Sequence, residues 1–435
     1  MPAMETRSEK TFSLKDVLIL LGCVLIMATT MGIVNVVLSI FYPAVSGDLG
    51  VSRASFALTG TITALSTMVA ALFWGYHYSK RALRTTMLIS TIIFGLAFLG
   101  MSLAKNLFHF YALALVIGVT FGGISIIPVS IIITRHFTKN TGFILSAALA
   151  GSGLGAMVLN PIINTIINNA GWQAGYRLIA VVVFAATLPC AIMVTSLTSG
   201  ETQTDKQSSD VSAKTTESKS PFKQAWLWAF LSAAFLAGLT GGGVLANLPT
   251  YLNDLKFSVS HVSFVTSAYS ASLVLGKFVL GFLYDRLGAK IASAIAGLLM
   301  ALSLVLMMVI ELPVMLILML IAIGVGLAIG TVSITWLANF FFSKEDYSKY
   351  YGTVQFANSF GIAVGVPTIA SALETLANTN VLWIALAVLS MAMVALFLIS
   401  IRGNQKMKAA RLSSSDKAAD TPETEELLTT SNPYA

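Results

Sequence analysis

Residues 260–309 read SHVSFVTSAYSASLVLGKFVLGFLYDRLGAKIASAIAGLLMALSLVLMMV. Two apolar runs, 260–284 and 289–309, flank a short charged cluster of Asp285, Arg286 and Lys290, with Gly288 between them. Each run is near the ~20 residues that an α-helix needs to cross a bilayer core. The stretch therefore reads as two membrane-spanning helices joined by a short polar turn. A single lysine, Lys277, interrupts the first run.

The same pattern extends in both directions. Apolar runs fall at 17–45, 53–78, 85–103, 107–133, 142–167, 173–197, 224–253, 260–284, 289–309, 313–340, 351–376 and 380–401, which predicts twelve spans and an all-α integral membrane protein. Composition agrees: 56% of residues are hydrophobic and 10% charged, against roughly 45–50% and ~25% in soluble domains. The first run is about 29 residues long, too long for the ~7–15-residue apolar region of a cleaved signal, so it is expected to be a retained helix.

The net charge of +7 is a topology signal. Of the 26 basic residues, 21 fall on the side of the amino terminus; Arg53, Lys105, Arg177 and Lys256 lie opposite, and Lys277 on neither side. That asymmetry predicts both termini in the cytoplasm, with contact to anionic lipid as a second use of the charge. A nucleic-acid partner would need the charge gathered on one folded surface, and none is expected. Residues 1–16 form a cytoplasmic amino terminus, and 198–223, rich in Ser, Thr and Lys, a cytoplasmic linker between six-span units at 17–197 and 224–401. The polar tail, 402–435, is expected to be disordered.

The two units resemble each other. Gly75 to Lys80 matches Gly281 to Arg286 at an offset of 206 residues, and Ile117-Gly118-Val119 matches Ile323-Gly324-Val325 at the same offset. Gly142, Gly151 and Gly155 pair with Gly352, Gly361 and Gly365 at an offset of 210. Two homologous six-helix bundles follow. Small residues at these positions also let helix backbones approach closely in lipid. Pro128, Pro161, Pro249 and Pro367 interrupt or end spans, and the Gly241-Gly242-Gly243 run marks the seventh span as the expected bender.

Gly281-Phe-Leu-Tyr-Asp285-Arg286-Leu-Gly288-Ala-Lys290 resembles the loop signature G-x-x-x-D-R-x-G-x-[KR] of the major facilitator superfamily. The resemblance implies that family's fold, two pseudo-symmetric six-helix bundles, and a structural or gating role for Gly281, Asp285, Arg286, Gly288 and Lys290. The same role passes to Gly75, Lys80 and Arg84 in the first copy, which departs from the signature at Ser79 and Ala82. Phe41-Tyr42-Pro43, Val51-Ser52-Arg53-Ala54, Gly171-Trp172 before Arg177, and Ala271 to Lys277 resemble the monocarboxylate transporter and oxalate/formate exchanger branch. That branch implies a cation at Lys277. Its exchangers carry a second lysine where Asn358 stands here, so a singly charged carboxylate is expected over a dianion.

Lys277 lies eight residues before Asp285, ~12 Å inside its helix end. A lysine at the centre of a membrane helix costs roughly 2.5–3.5 kcal/mol, and such groups mark substrate or ion routes. Asp16, Asp285, Glu311 and Glu374 fall near span ends or in loops, which leaves an anionic substrate as the natural partner. Two other readings stay open: the amine snorkels, although its stem covers only ~6 Å, or burial keeps it neutral. Tyr269 and Ser270 on the same helix, Asn247 and Tyr251 in the seventh span, Gln355 and Asn358 in the eleventh, and Asn35 in the first are the candidate polar contacts. Each can instead join helices by hydrogen bonds.

Enzyme chemistry finds no footing. There is no HExxH, GxSxG or phosphate-loop motif, the four histidines are scattered, and Cys23 and Cys190 lie in separate apolar runs. No cofactor or metal is expected. The expectation is secondary active transport of a small organic anion by alternating access, with protons or a counter-anion as coupling partner. A drug exporter and a membrane sensor without transport are the alternatives.

Overall fold

The computed structural model describes residues 13–35, 37–80, 83–137, 139–198 and 221–419. Among these the fold is helical, with no strand, since peptide groups in hydrocarbon must be satisfied within their own segment. Among the described residues ten helices are long and apolar enough to cross a membrane. Two of the ten are of double length: Thr141–Thr198 holds the fifth and sixth spans, and Phe264–Val309 the eighth and ninth. Each is broken at one glycine in the left-handed region, Gly171 (φ 80°) and Gly288 (φ 74°), where a side chain would be strained. The ten helices thus hold the twelve expected spans.

Several spans are themselves bent. The first runs as Leu14–Thr29, Met31–Asn35, Val37–Ile40 and Phe41–Asp48. The seventh runs as Ala225–Ala237 and Gly243–Asp254, joined by a π turn at Gly238–Gly242. That turn overlaps the glycine run singled out above, as π turns accommodate an extra residue inside a helix.

The two halves pack alike. In the first bundle the first span lies on the fifth and the second on the fourth; in the other the seventh lies on the eleventh and the eighth on the tenth. Gly155 is where the first pair touch: a Cβ there would overlap the carbonyl oxygen of Ala28. Gly365, 210 residues on, meets the carbonyl oxygen of Leu239 in the same way. The repeat read from the glycines is therefore a repeat of backbone contacts, which small residues permit. Polar side chains add bonds within bundles, as where Trp74 Nε1 donates to the Val119 carbonyl (2.7 Å) and Trp172 Nε1 to Asp48 Oδ2 (2.8 Å).

The chain ends differ from expectation. Residues 1–12, 199–220 and 420–435, which hold most of the expected amino terminus and linker and the end of the tail, lie outside the described residues. The last helix runs Asn380–Ala419 and so continues past 401 into the segment expected to be disordered. One face of the extension is docked. Asn404 is buried, and Lys408 Nζ donates to the Phe340 carbonyl (2.9 Å) while lying 5.2 Å from the Phe340 ring centroid. The cation thus meets the carbonyl end of the tenth span, where the helix dipole favours it.

Candidate functional site

The bundles meet along two seams, fifth span against eighth and second against eleventh. On the eighth span, Val274, Lys277, Gly281 and Asp285 recur every three or four residues and so form one stripe. That stripe faces the fifth span. Val274 packs on Gly153, Gly281 on Gly142 and Ser146, and Asp285 on the helix start. Its carboxylate accepts from the Gly142 amide (2.9 Å) and the Phe143 amide (2.8 Å). It thereby satisfies two of the otherwise unpaired amides in the first turn of Thr141–Val182. Gly281 and Asp285 of the loop signature thus brace one bundle against the other.

Lys277 sits inside this stripe and is 4% exposed. Its Nζ donates to the Leu149 carbonyl and to Ser152 Oγ, each at 3.1 Å, both on the opposite bundle. Both acceptors are neutral. His136 Nε2 and Asp16 Oδ1 form an acid–base contact at 2.7 Å, at the end of the bundles where the helix Leu14–Thr29 begins, here termed the base. Among the described residues no carboxylate stands beside Lys277. Removing an ammonium from water costs several kcal/mol, and two neutral acceptors return only part of it.

The other candidate residues are not gathered round this amine. Asn247 Nδ2 donates to the carbonyls of Gly243 (2.8 Å) and Val366 (3.0 Å), and Asn358 Nδ2 to that of Ala234 (3.1 Å), tying the seventh and eleventh spans together. Tyr251 donates to the Met307 carbonyl (3.0 Å) and lies edge-on to Trp383. Gln355 donates to the Tyr351 hydroxyl (2.6 Å). Ser270 is exposed and bonds the Thr266 carbonyl of its own helix, whereas the Tyr269 hydroxyl is buried without a partner. Asn35 is exposed at a break in the first span. Three of these side chains, Asn247, Asn358 and Tyr251, serve backbone carbonyls of neighbouring helices, because in hydrocarbon a carbonyl near a helix bend has no water to turn to.

Of the remaining signature residues, Arg286 lies over the Phe282 ring (5.5 Å), and Lys290 and Arg84 are exposed. The Lys80 side chain lies outside the described residues. Gly75 packs on Gly352, the counterpart of the Gly281 to Gly142 contact in the other seam. Near the base, Arg135 Nη2 donates to Ser348 Oγ (3.1 Å) and Lys344 Nζ to the Arg135 carbonyl (3.3 Å), again between bundles. Both seams are closed there.

Sequence reasoning missed two contributors. Leu149 acts through a carbonyl that no side chain advertises, and Ser152 was visible only as the polar member of the Gly151-Ser152-Gly153 run. A buried cluster of Tyr347, Tyr351, Gln355 and Thr335, with Ser130 of the fourth span facing the two tyrosines, was also not foreseen.

The sequence matches the Major Facilitator Superfamily over residues 20–258 and 230–430. The chain belongs to that superfamily. It is similar to an uncharacterized MFS-type transporter, YcxA, of Bacillus subtilis, at 24% identity over 55% of this chain and 58% of the relative. It is also similar to the cis,cis-muconate transport protein of Acinetobacter baylyi (22%; 58% of this chain, 62% of the relative) and to the multidrug resistance protein MdtG of Serratia proteamaculans (24%; 53% and 56%). The matched stretch spans under two thirds of each of these relatives. Among solved structures, the proton:xylose symporter XylE has the same fold, with a TM-score of 0.65 at 14% identity over 90% of this chain and 95% of that one. Membership agrees with a membrane transporter and not an enzyme.

Proposed function

We propose that this chain carries a small organic anion across the cytoplasmic membrane by alternating access, with both termini in the cytoplasm. The observation that carries the reading is the burial of Lys277 between the bundles with two neutral acceptors and, among the described residues, no acidic partner. A charge in that position is stabilised best by a ligand that brings the opposite charge, and a carboxylate does so with short, charge-assisted hydrogen bonds. The local likeness to the monocarboxylate and oxalate/formate branch, and the presence of a muconate transport protein among the relatives, support an anion. A single cation favours one carboxylate per binding event. Proton symport and exchange of two anions both remain compatible with one lysine, since either supplies the charge balance.

The second reading is export of amphipathic drugs, which the MdtG relative favours. It predicts transport that does not depend on Lys277. The deciding experiment is uptake of radiolabelled mono- and dicarboxylates by purified protein in liposomes, with and without an inward proton gradient, beside Lys277→Ala and Lys277→Arg. Alanine is expected to abolish accumulation, and arginine to retain part of it, because the guanidinium keeps the charge with a different shape. Full activity in the alanine variant refutes the assignment.

A further inference from the structure

Lys277 is already occupied, and by groups of the opposite bundle. The Ser152 hydroxyl donates its one proton to the Leu149 carbonyl (2.8 Å), so towards Lys277 Nζ it can act only as an acceptor. The amine therefore faces two acceptors that are already oriented and linked to each other. Gly153, lacking a side chain, lets Val274 approach and brings the two helices close enough for the contact.

From this geometry we propose that Ser152 and the Leu149 carbonyl are the resident ligands of Lys277 in the unloaded protein, which the transported group must displace before the seam between the fifth and eighth spans opens at the base. The inference rests on the anion reading for the identity of the displacing group, but the holding contact itself does not. Separating the two spans strips the amine of both acceptors, and a cation at a membrane-helix centre is costly until another partner reaches it. A carboxylate delivered to Nζ removes that penalty, so the loaded protein opens and the empty one stays shut. Ser152 is in this sense a positioning residue: it holds the cation where the ligand will find it, and it resists movement without cargo.

The other seam has no such device. The residue 206 positions before Lys277 is Ala71, which is buried and whose carbonyl lies against Gly352. Among the described residues the counterpart of Lys277 in the other seam is therefore uncharged.

The test places spin labels at Lys139→Cys and Lys290→Cys, on opposite sides of the seam, in a background with Cys23→Ala and Cys190→Ala. Distance distributions are recorded in nanodiscs with no substrate present. Ser152→Ala is expected to raise the ratio of long to short distances ~10-fold or more, the size of losing one hydrogen bond to a charged group. Ser152→Thr keeps the hydroxyl and should retain the short distance. Should the alanine variant not assemble, Ser152→Val, close in shape to the threonine variant, removes the hydroxyl without leaving a space and should shift the distribution in the same direction. An unchanged distribution in the variant that folds overturns the proposal. In liposomes, Ser152→Ala should lower the ratio of exchange to net flux, because the empty protein now reorients more freely; an unchanged ratio in a transporting variant also overturns it. If no anion moves in any variant while the distance shift persists, the anion assignment fails and the holding role of Ser152 stands.

Discussion

Replacement of Asp285 by asparagine tests the seam where its geometry is best defined. The carboxylate accepts from two amides, those of Gly142 and Phe143, at the positive end of the helix that begins at Thr141. Asparagine retains one carbonyl oxygen, so the change removes the charge and one acceptor. Hydrogen bonds to charged groups contribute ~1.5–3 kcal/mol each, and a half-buried site lies at the low end of that range. A loss of about 2 kcal/mol in favour of the open seam is a shift of ~30-fold in the closed-to-open ratio. Ser146 reports on it. The residue is fully buried and its side chain lies against Gly281 across the seam, so a cysteine in its place reacts with a maleimide only while the seam is open. With Cys23 and Cys190 replaced by alanine, the alkylation rate of Ser146→Cys tracks the open population whenever opening and closing are faster than the reaction. The Asp285→Asn variant should react ~30-fold faster. A rate within twofold of the parent would show that the Asp285 contact does not hold the seam, and the reasoning from helix-end charge would fail.

Gly155→Ala and Gly365→Ala should each destabilise the detergent-solubilised protein by ~1–3 kcal/mol, the usual range for overpacking, and by similar amounts, since each new methyl meets a backbone carbonyl of the partner helix; thermal unfolding followed by tryptophan fluorescence measures both. Asn358→Ala should cost about 0.6 kcal/mol in stability through the lost bond to Ala234, with KM for the transported species unchanged. A raised KM would return Asn358 to the binding site. Tyr251→Phe should behave likewise through its bond to Met307.

The membrane spans were legible because hydrophobic length is a property of single segments. Gly171 and Gly288 fall in the short gaps between the runs read from the sequence, but their positive φ is a finding of the structure. The duplicated glycines were legible for a related reason: a residue without a side chain is conspicuous, and its cause is backbone contact. The place of Lys277 two turns inside its helix is readable from its spacing to Asp285, but its partners are not. A backbone carbonyl such as that of Leu149 leaves no trace in residue type. Asn247, Asn358 and Tyr251 are polar residues in apolar helices, and a helix-joining side chain has the same sequence as a ligand-binding one. Orientation separates the two uses, and orientation depends on which neighbour lies within reach. The helical end of the chain was missed because Arg402 to Ala419 is polar, and the docking of Lys408 on the tenth span required knowing where that span ends.

The single-residue turns at Gly171 and Gly288 have a mechanical consequence. The fifth span, which meets Lys277, is joined to the sixth by one hinge residue, and the eighth, which carries it, is joined to the ninth by another. Neither junction has slack. Under the proposed alternating access, a tilt of either seam helix would be passed to its successor as in a lever with a stiff elbow, so that helical hairpins and not single rods would move. The two elbows lie at opposite ends of the molecule, Gly288 beside the Asp285 brace and Gly171 beside the Trp172 to Asp48 bond. Parting at one end therefore presses on a fixed corner at the other, and insertions at either glycine should be far less tolerated than their surface position suggests.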